Sequence, residues 1–401
     1  MLKLGLDLRA LDPNFKAHAG RGTGRYVREV TQRLLSSAYQ EKARACGIQI
    51  QELSAARLGH GSLSAVFKNL VPIGRITLEQ QLLLPRRIQQ TGIDKIHFFA
   101  HGDSPSRLKI PSIITVLDLI PLRFPELYKA DRPSWRFHLA RYFELQAIKN
   151  AERIIAISEA TKRDLIEILE IPKERIFVTP LAVGTEFRAR PSKREAYSAL
   201  QKKLRDNFGI PSERDLLIYI GGIDPRKNIP FLLEVFAQLL HANKTAGVKN
   251  LPYLCLAGPY ENDRHFPALQ AKIKQLQLSA EVKLLGFVPE SKLIELYHAA
   301  TLVVFPSLYE GFGLPVLEAM NCGVPVICGN NSSLPEVLGT TGLLARDSDI
   351  DDWTSKINQV LSSIDLQEKL ANDGLERCNN FSWEYTADQT LAAYSSKLNF
   401  N

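Results

Sequence analysis

The stretch 301–320 restricts the fold more than any other part of this chain. Residues 301–305 form a short apolar run, the length of a buried strand, and Pro306-Ser307 stops it. Glu310-Gly311-Phe312-Gly313 then reads as a glycine-flanked loop. Pro315 sits where a helix can open, because the first turn has no use for its missing N–H. A buried strand feeding a glycine loop and a helix is the building block of a parallel α/β sheet, whose ligands lie outside the carboxyl ends of the strands. The unpaired N–H groups and the dipole of that helix, at Leu314-Pro315, favour an anion there. Glu310 and Glu318 flank the position, and carboxylates suit hydroxyls better than phosphate. A sugar and a ribose joined through a diphosphate fit that layout. On their own, two glutamates at this spacing describe a solvated helix face; the strand, the glycine loop and Pro315 argue against it.

The same rhythm runs through the rest of the chain. Strands are expected at 2–8, 49–53, 95–99, 112–117, 153–158 and 175–179, and again at 216–220, 253–257, 282–285, 324–328 and 342–344. Helices are expected between them, including 78–88, 135–150, a helix capped by Ser158, and a last one over 384–398. At 401 residues the chain exceeds one comfortable core, so two domains are expected. The composition turns polar and charged over 186–214, which places a linker and an approach helix there. Five scattered cysteines without metal spacing argue for a reducing compartment and against a disulfide framework. No run approaches the ~20 apolar residues of a membrane span, and a cytoplasmic protein is expected.

Two further glycine clusters are candidate anion cradles. Gly20-Arg21-Gly22-Thr23-Gly24-Arg25-Tyr26 leads into an amphipathic helix, but its spacing is not the dinucleotide fingerprint. It fits both a diphosphate contact and a plain mobile loop. Gly221-Gly222-Ile223-Asp224-Pro225-Arg226-Lys227-Asn228 follows the strand at 216–220 and brings two cations to a helix start. Net charge is +7, split as +12 over residues 1–200 and −5 over 201–401. A basic half points to an anionic partner, with nucleic acid and an anionic membrane or lipid-phosphate acceptor as candidates, or to a solvated basic face without one.

Glu310 and Glu318 in the setting EGFGLPVLEAM, followed by CGVPVI, resemble the signature of the retaining glycosyltransferases of family 4. The run 221–228 resembles that family's G-G-x-x-x-R-K-N element, and GTGRY resembles its first-strand loop. The resemblance implies the GT-B architecture, two doubly wound parallel-sheet domains facing across a cleft. It places an acceptor-binding domain at 1–187, a linker at 188–214 and a nucleotide-sugar domain at 215–382, with helix 383–401 returning to the first. It implies transfer of a hexose, with glucose from UDP-glucose expected and GDP-mannose the runner-up, to a saccharide or lipid-linked acceptor. No metal, cofactor or nucleic acid takes part in that expectation. Arg226 and Lys227 would hold the departing diphosphate, Glu310 the sugar hydroxyls and Glu318 the ribose.

The implied donor contacts also include Gly22, Gly24, Gly222, the loop Gly286-Phe287-Val288, and Gly311, Phe312, Gly313 and Leu314. Tyr26, His101, Asp118 and Arg123 are the acceptor-side candidates. One departure stands out: Leu117-Asp118-Leu119-Ile120-Pro121 has leucine where relatives often carry His, and His101 lies on the neighbouring loop. A degenerate nucleotide-sugar-binding protein is the non-enzymatic alternative.

Overall fold

A computed structural model describes residues 1–13, 15, 22–58, 79–127, 135–189 and 194–395. Gly20 and Arg21 lie outside the described residues. Contacts divide the chain into two compact units, Met1–Leu181 together with the segment from Ser382, and Ala182–Phe381.

The first unit holds six strands, β1 (Leu2–Asp7), β2 (Ile48–Leu53), β3 (Lys95–Phe98), β4 (Ser112–Val116), β5 (Arg153–Ala156) and β6 (Ile176–Val178). They form one parallel sheet in the order β2-β1-β3-β4-β5-β6. Every residue of β3, β4 and β5 is buried, whereas β2 at the edge alternates. Central strands of a parallel sheet are covered on both faces, hence their continuous apolar runs. Ile96, Phe98, Ile114, Val116 and Ile154 pack there against Leu84, Ile88, Ala147, Ile148 and Leu165 from the helices.

The second unit repeats the plan with β7 (Leu216–Ile220), β8 (Tyr253–Ala257), β9 (Val282–Gly286), β10 (Leu302–Phe305), β11 (Val326–Gly329) and β12 (Leu343–Ala345). The order is β12-β11-β10-β7-β8-β9, all parallel. Helix Arg194–Asn207 belongs to this unit. Buried Arg205 on it donates to the carbonyls of Ala299, Ser212 and Arg214 and to the Thr301 hydroxyl. Strand order reverses between β1 and β3 in the first unit and between β7 and β10 in the second. Loops leaving the two strands on either side of a reversal diverge and open a crevice.

The first glycine cluster is not a loop where it is described. Helix Gly22–Leu34 takes in Gly22 and Gly24, and Gly24 is buried. Tyr26, Val27, Val30 and Leu34 make the buried stripe of that helix. Tyr26 is 0% exposed and its hydroxyl lies 3.1 Å from Thr115 Oγ1 on β4, so it is a core residue.

Thr115 also meets His97 of β3, Nε2 at 2.9 Å, and His97 Nδ1 meets the Tyr394 hydroxyl at 2.6 Å. Tyr394 is on helix Trp383–Ser395, which is anchored again where Thr386 donates to Pro180 O at 2.6 Å. Burial drops the His97 imidazole to about 3 from its ordinary 6.5, so it stays neutral and serves one donor and one acceptor role. The folded form therefore binds fewer protons than the unfolded chain between those two values. His97's contribution is full above about pH 6.5 and is lost as the pH falls toward 3. Thermal melts between about pH 5 and pH 8 should show His97→Gln less stable than the parent at neutral pH but with a flatter loss on acidification. Parallel pH curves for the two proteins would remove His97 from this role.

Candidate active site

The β7–β10 reversal gathers the residues that the sequence singled out. Beyond β7 the chain makes a tight turn, Pro225–Lys227, and Asn228 takes a left-handed conformation (φ 56°) before helix Ile229–Thr245. The cations thus precede the helix by one turn. Beyond β10 the loop ends at Gly313, whose φ of 99° suits glycine, and helix Leu314–Asn321 follows with Pro315 in its first turn. The two loops are knitted by backbone. Leu308 N donates to Arg226 O at 2.7 Å, and Arg226 Nη1 reaches Tyr309 O at 3.1 Å.

Glu310 is the centre of this junction. Its Oε1 accepts from Lys227 Nζ and from the Ser307 hydroxyl, each at 2.5 Å, and its Oε2 lies 2.9 Å from Arg226 Nη1. Asp224 Oδ1 pairs with Arg226 Nε at 3.2 Å. Lys227 and Glu310 are each 8% exposed. Burial alone would push the Glu310 carboxyl up; Lys227 and Arg226 outweigh it and hold the group below the usual carboxylate range. For Lys227, burial and the Arg226 charge pull the ammonium down while Glu310 opposes them. Two cations against two carboxylates leave the cluster neutral.

A third loop, after β11, completes the support. Glu310 N donates to Ser332 Oγ at 3.0 Å, the Ser333 hydroxyl donates to Glu310 O at 3.0 Å, and Asn331 Nδ2 reaches Ser307 O at 3.0 Å. The sequence pattern assigns no role to Ser307, Asn331, Ser332 or Ser333. The polar run Asn330–Ser333 next to a strand end is their only signal, and nothing in it names a partner.

The other donor-side candidates scatter in role. Glu318 is 5% exposed and accepts the Tyr297 hydroxyl at 2.9 Å. Gly222 accepts the Tyr219 hydroxyl at 2.6 Å through its carbonyl. Gly311 is buried and Leu314 half-buried. The Phe312 side chain is 4% exposed and meets the Phe381 ring edge-on at 6.0 Å, so it belongs to the core. Gly286 ends β9, Phe287 beside it is exposed, and Val288 is half-buried.

In the first unit, His101 lies past β3, at that unit's own reversal point. Its Nε2 is 2.8 Å from Glu144 Oε1, and Arg141 takes the other oxygen at 2.9 Å. Burial would raise the Glu144 carboxyl, but His101 and Arg141 bring it down to about 2. Asp118 Oδ1 accepts from Ile120 N at 3.1 Å and so shapes its own turn. Arg123 is exposed and pairs with Glu167 at 3.0 Å.

With this geometry in place, comparison with known proteins is informative. The family profile described as "Glycosyl transferases group 1" matches residues 201–377, and that described as "Glycosyltransferase Family 4" matches residues 20–187. The O-antigen chain mannosyltransferase B of Escherichia coli is 33% identical over 390 residues, covering 93% of this chain and 95% of that protein. Sucrose-phosphate synthase from Thermosynechococcus elongatus matches in structure with a TM-score of 0.70 at 19% identity, over 98% of each chain. HepE of Anabaena, solved in complex with UDP and glucose, gives 0.68 at 17% identity over 99% of this chain and 100% of its own. The expected two-sheet α/β architecture is thus present, and the chain belongs to glycosyltransferase family 4, with the GT-B fold.

Proposed function

We propose that this protein moves a hexosyl residue from a nucleotide-diphosphate sugar to a hydroxyl of a saccharide or lipid-linked saccharide, with retention at the anomeric carbon and without a metal ion. The observation that carries the reading is the buried Glu310–Lys227–Arg226 cluster at the β7–β10 crevice. In such a transfer, negative charge grows on the departing diphosphate while the sugar becomes oxocarbenium-like. Arg226, Lys227 and the start of helix Leu314–Asn321 would meet the first, and pre-placed charge of this kind supplies much of the rate enhancement in many enzymes. Glu310, released from the cations as the diphosphate takes them, would hold the sugar hydroxyls. Glu318 would hold the ribose.

Mannose is the hexose that the Escherichia coli relative favours, because that protein is a mannosyltransferase alignable over nearly the whole chain. Glucose from UDP-glucose, expected from the sequence, has the fold-level likeness to HepE in its support. For a lipid-linked acceptor we propose contact with an anionic bilayer through the first unit. Its support is the basic balance of residues 1–200 and the exposed Trp135, Phe137 and Tyr142 on helix Trp135–Asn150. Of the arginines in residues 1–200, Arg75 and Arg132 lie outside the described residues, as does the side chain of Arg136. Among the described residues no helix is long and apolar enough to cross a membrane.

Lys227→Ala should lower turnover on the order of 10²-fold or more, measured as transfer or slow hydrolysis of labelled nucleotide sugars with and without EDTA. Near-normal activity of that variant would refute the role of the cation. No turnover in the parent with any nucleotide sugar would leave the non-enzymatic binder as the better reading, with Leu117 as its support.

Glu310→Gln should abolish most turnover yet leave affinity for a bare nucleoside diphosphate equal or higher, since it withdraws the competing carboxylate. Glu318→Ala should weaken the nucleotide itself. Matching losses of nucleotide affinity in both variants would sink the division of labour between the two glutamates.

Co-sedimentation with anionic vesicles should occur at low salt and weaken as ionic strength shortens the Debye length below about 8 Å. Absence of sedimentation at low salt would favour an acceptor free in solution.

A further inference from the structure

The network around Glu310 does not stop at the serines; it runs on to the loop after β12. β11 ends at Gly329, where a Cβ would lie 2.6 Å from Asn331 Nδ2, 3.0 Å from Asp347 Oδ1 and 3.2 Å from Ser307 O. The loops after β10, β11 and β12 therefore converge on this glycine, and a side chain there would part them. Asn331 links the three. Its amino group donates to Ser307 O at 3.0 Å and to Asp347 Oδ1 at 2.7 Å. A carbonyl and a carboxylate only accept, so the amide faces them in one orientation and turns its own oxygen the other way. That oxygen accepts the Ser332 hydroxyl at 3.0 Å. With its hydrogen engaged there, Ser332 Oγ is left to accept, and it takes Glu310 N at 3.0 Å. Ser332 does so from a left-handed backbone (φ 50°), which costs a serine and persists where the surroundings over-determine it. Ser333, fully buried, donates to Glu310 O at 3.0 Å.

We propose that Asn331 is a positioning residue for glycosyl transfer. By orienting Ser307 and Ser332 it holds Glu310 in the one pose that meets the hydroxyls of the donor sugar. The assignment rests on the nucleotide-sugar reading given above. Lys227 attracts the carboxylate as a point charge on a flexible stem and would follow it if the backbone swung. Bonds at Glu310 N and Glu310 O fix the direction in which the side chain leaves the backbone, and the Ser307 hydroxyl then sets its end. The cations stand on the loop after β7, so loosening Asn331 falls on the sugar's end of the site and spares the diphosphate's.

Steady-state hydrolysis of labelled GDP-mannose and UDP-glucose by the full chain, with calorimetric titration of GDP and UDP, provides the test. The proteins are the parent, Ser332→Gly, Asn331→Asp, and Asn331→Asp combined with Asp347→Asn. Glycine is at ease at a φ of 50°, so Ser332→Gly removes the hydroxyl without adding strain, and it carries the test by itself should Asn331→Asp fail to fold. Asn331→Asp turns a carboxylate toward Asp347 and Ser307 O, and Asp347→Asn returns a donor across the first of those gaps. For the donor that the parent turns over, each single variant should lose about 10- to 100-fold in kcat, with KM and nucleoside-diphosphate affinity unchanged. The combined variant should recover part of the Asn331→Asp loss. Parental kcat in Ser332→Gly, or a fall in diphosphate affinity that matches the fall in kcat, would overturn the positioning role while leaving glycosyl transfer standing. A combined variant no faster than Asn331→Asp would overturn it too. Failure of the parent to hydrolyse either sugar nucleotide would overturn the transfer reading on which the role depends.

Discussion

The second unit's crevice depends on one shared carboxylate. Glu310, nearly excluded from solvent, is tied through its carboxylate to Lys227, Arg226 and Ser307 at once, and Ser332 and Ser333 of the loop after β11 hold its backbone. An isolated buried charge would be costly, and a buried lysine alone would surrender its proton. Each group is kept ionised by the others, so the loops after β7, β10 and β11 hold one another in register. A neutral cluster also keeps the buried Lys227 and the half-buried Arg226 tolerable.

Topology explains why the cluster forms where it does. In a parallel sheet the strand order can reverse only once in this plan, and the second unit reverses between β7 and β10. The helices that follow leave that point in opposite directions, and sheets of this plan take their ligands there. Residues as far apart in sequence as Lys227 and Glu310 meet there because the two strands are hydrogen-bonded neighbours. The first unit has its own reversal between β1 and β3, and it too gathers titratable groups, His101, Glu144 and Arg141.

Much of this was readable from sequence because local rules and the fold agree. The bounds of β7 and β8 follow from their apolar runs, and Ser158 caps its helix through its hydroxyl, which accepts from Thr161 N, as its position before Glu159 implies. Tyr26 and Phe312 have buried side chains that the sequence motifs do not announce, for one reason. Each sits beside glycines in a motif, and proximity to a motif says nothing about which way a side chain points. Tyr26 falls on the buried stripe of its helix, and Phe312 packs onto Phe381. Ser307, Ser332 and Ser333 escape notice because their partners lie on other loops, and serine near a strand end is common in any turn.

The buried His97–Tyr394 and Thr386–Pro180 hydrogen bonds carry a consequence for how the chain comes off the ribosome. The second unit is a continuous stretch and can close as soon as its last strand and helices are made. The first unit is discontinuous, with its final helix following the second unit in sequence. Until Tyr394 emerges, His97, Thr115 and Tyr26 lack part of the cover that keeps their network dry. The usual order, in which the N-terminal domain finishes first during synthesis, is therefore inverted here: the amino-terminal sheet is made first and completed last.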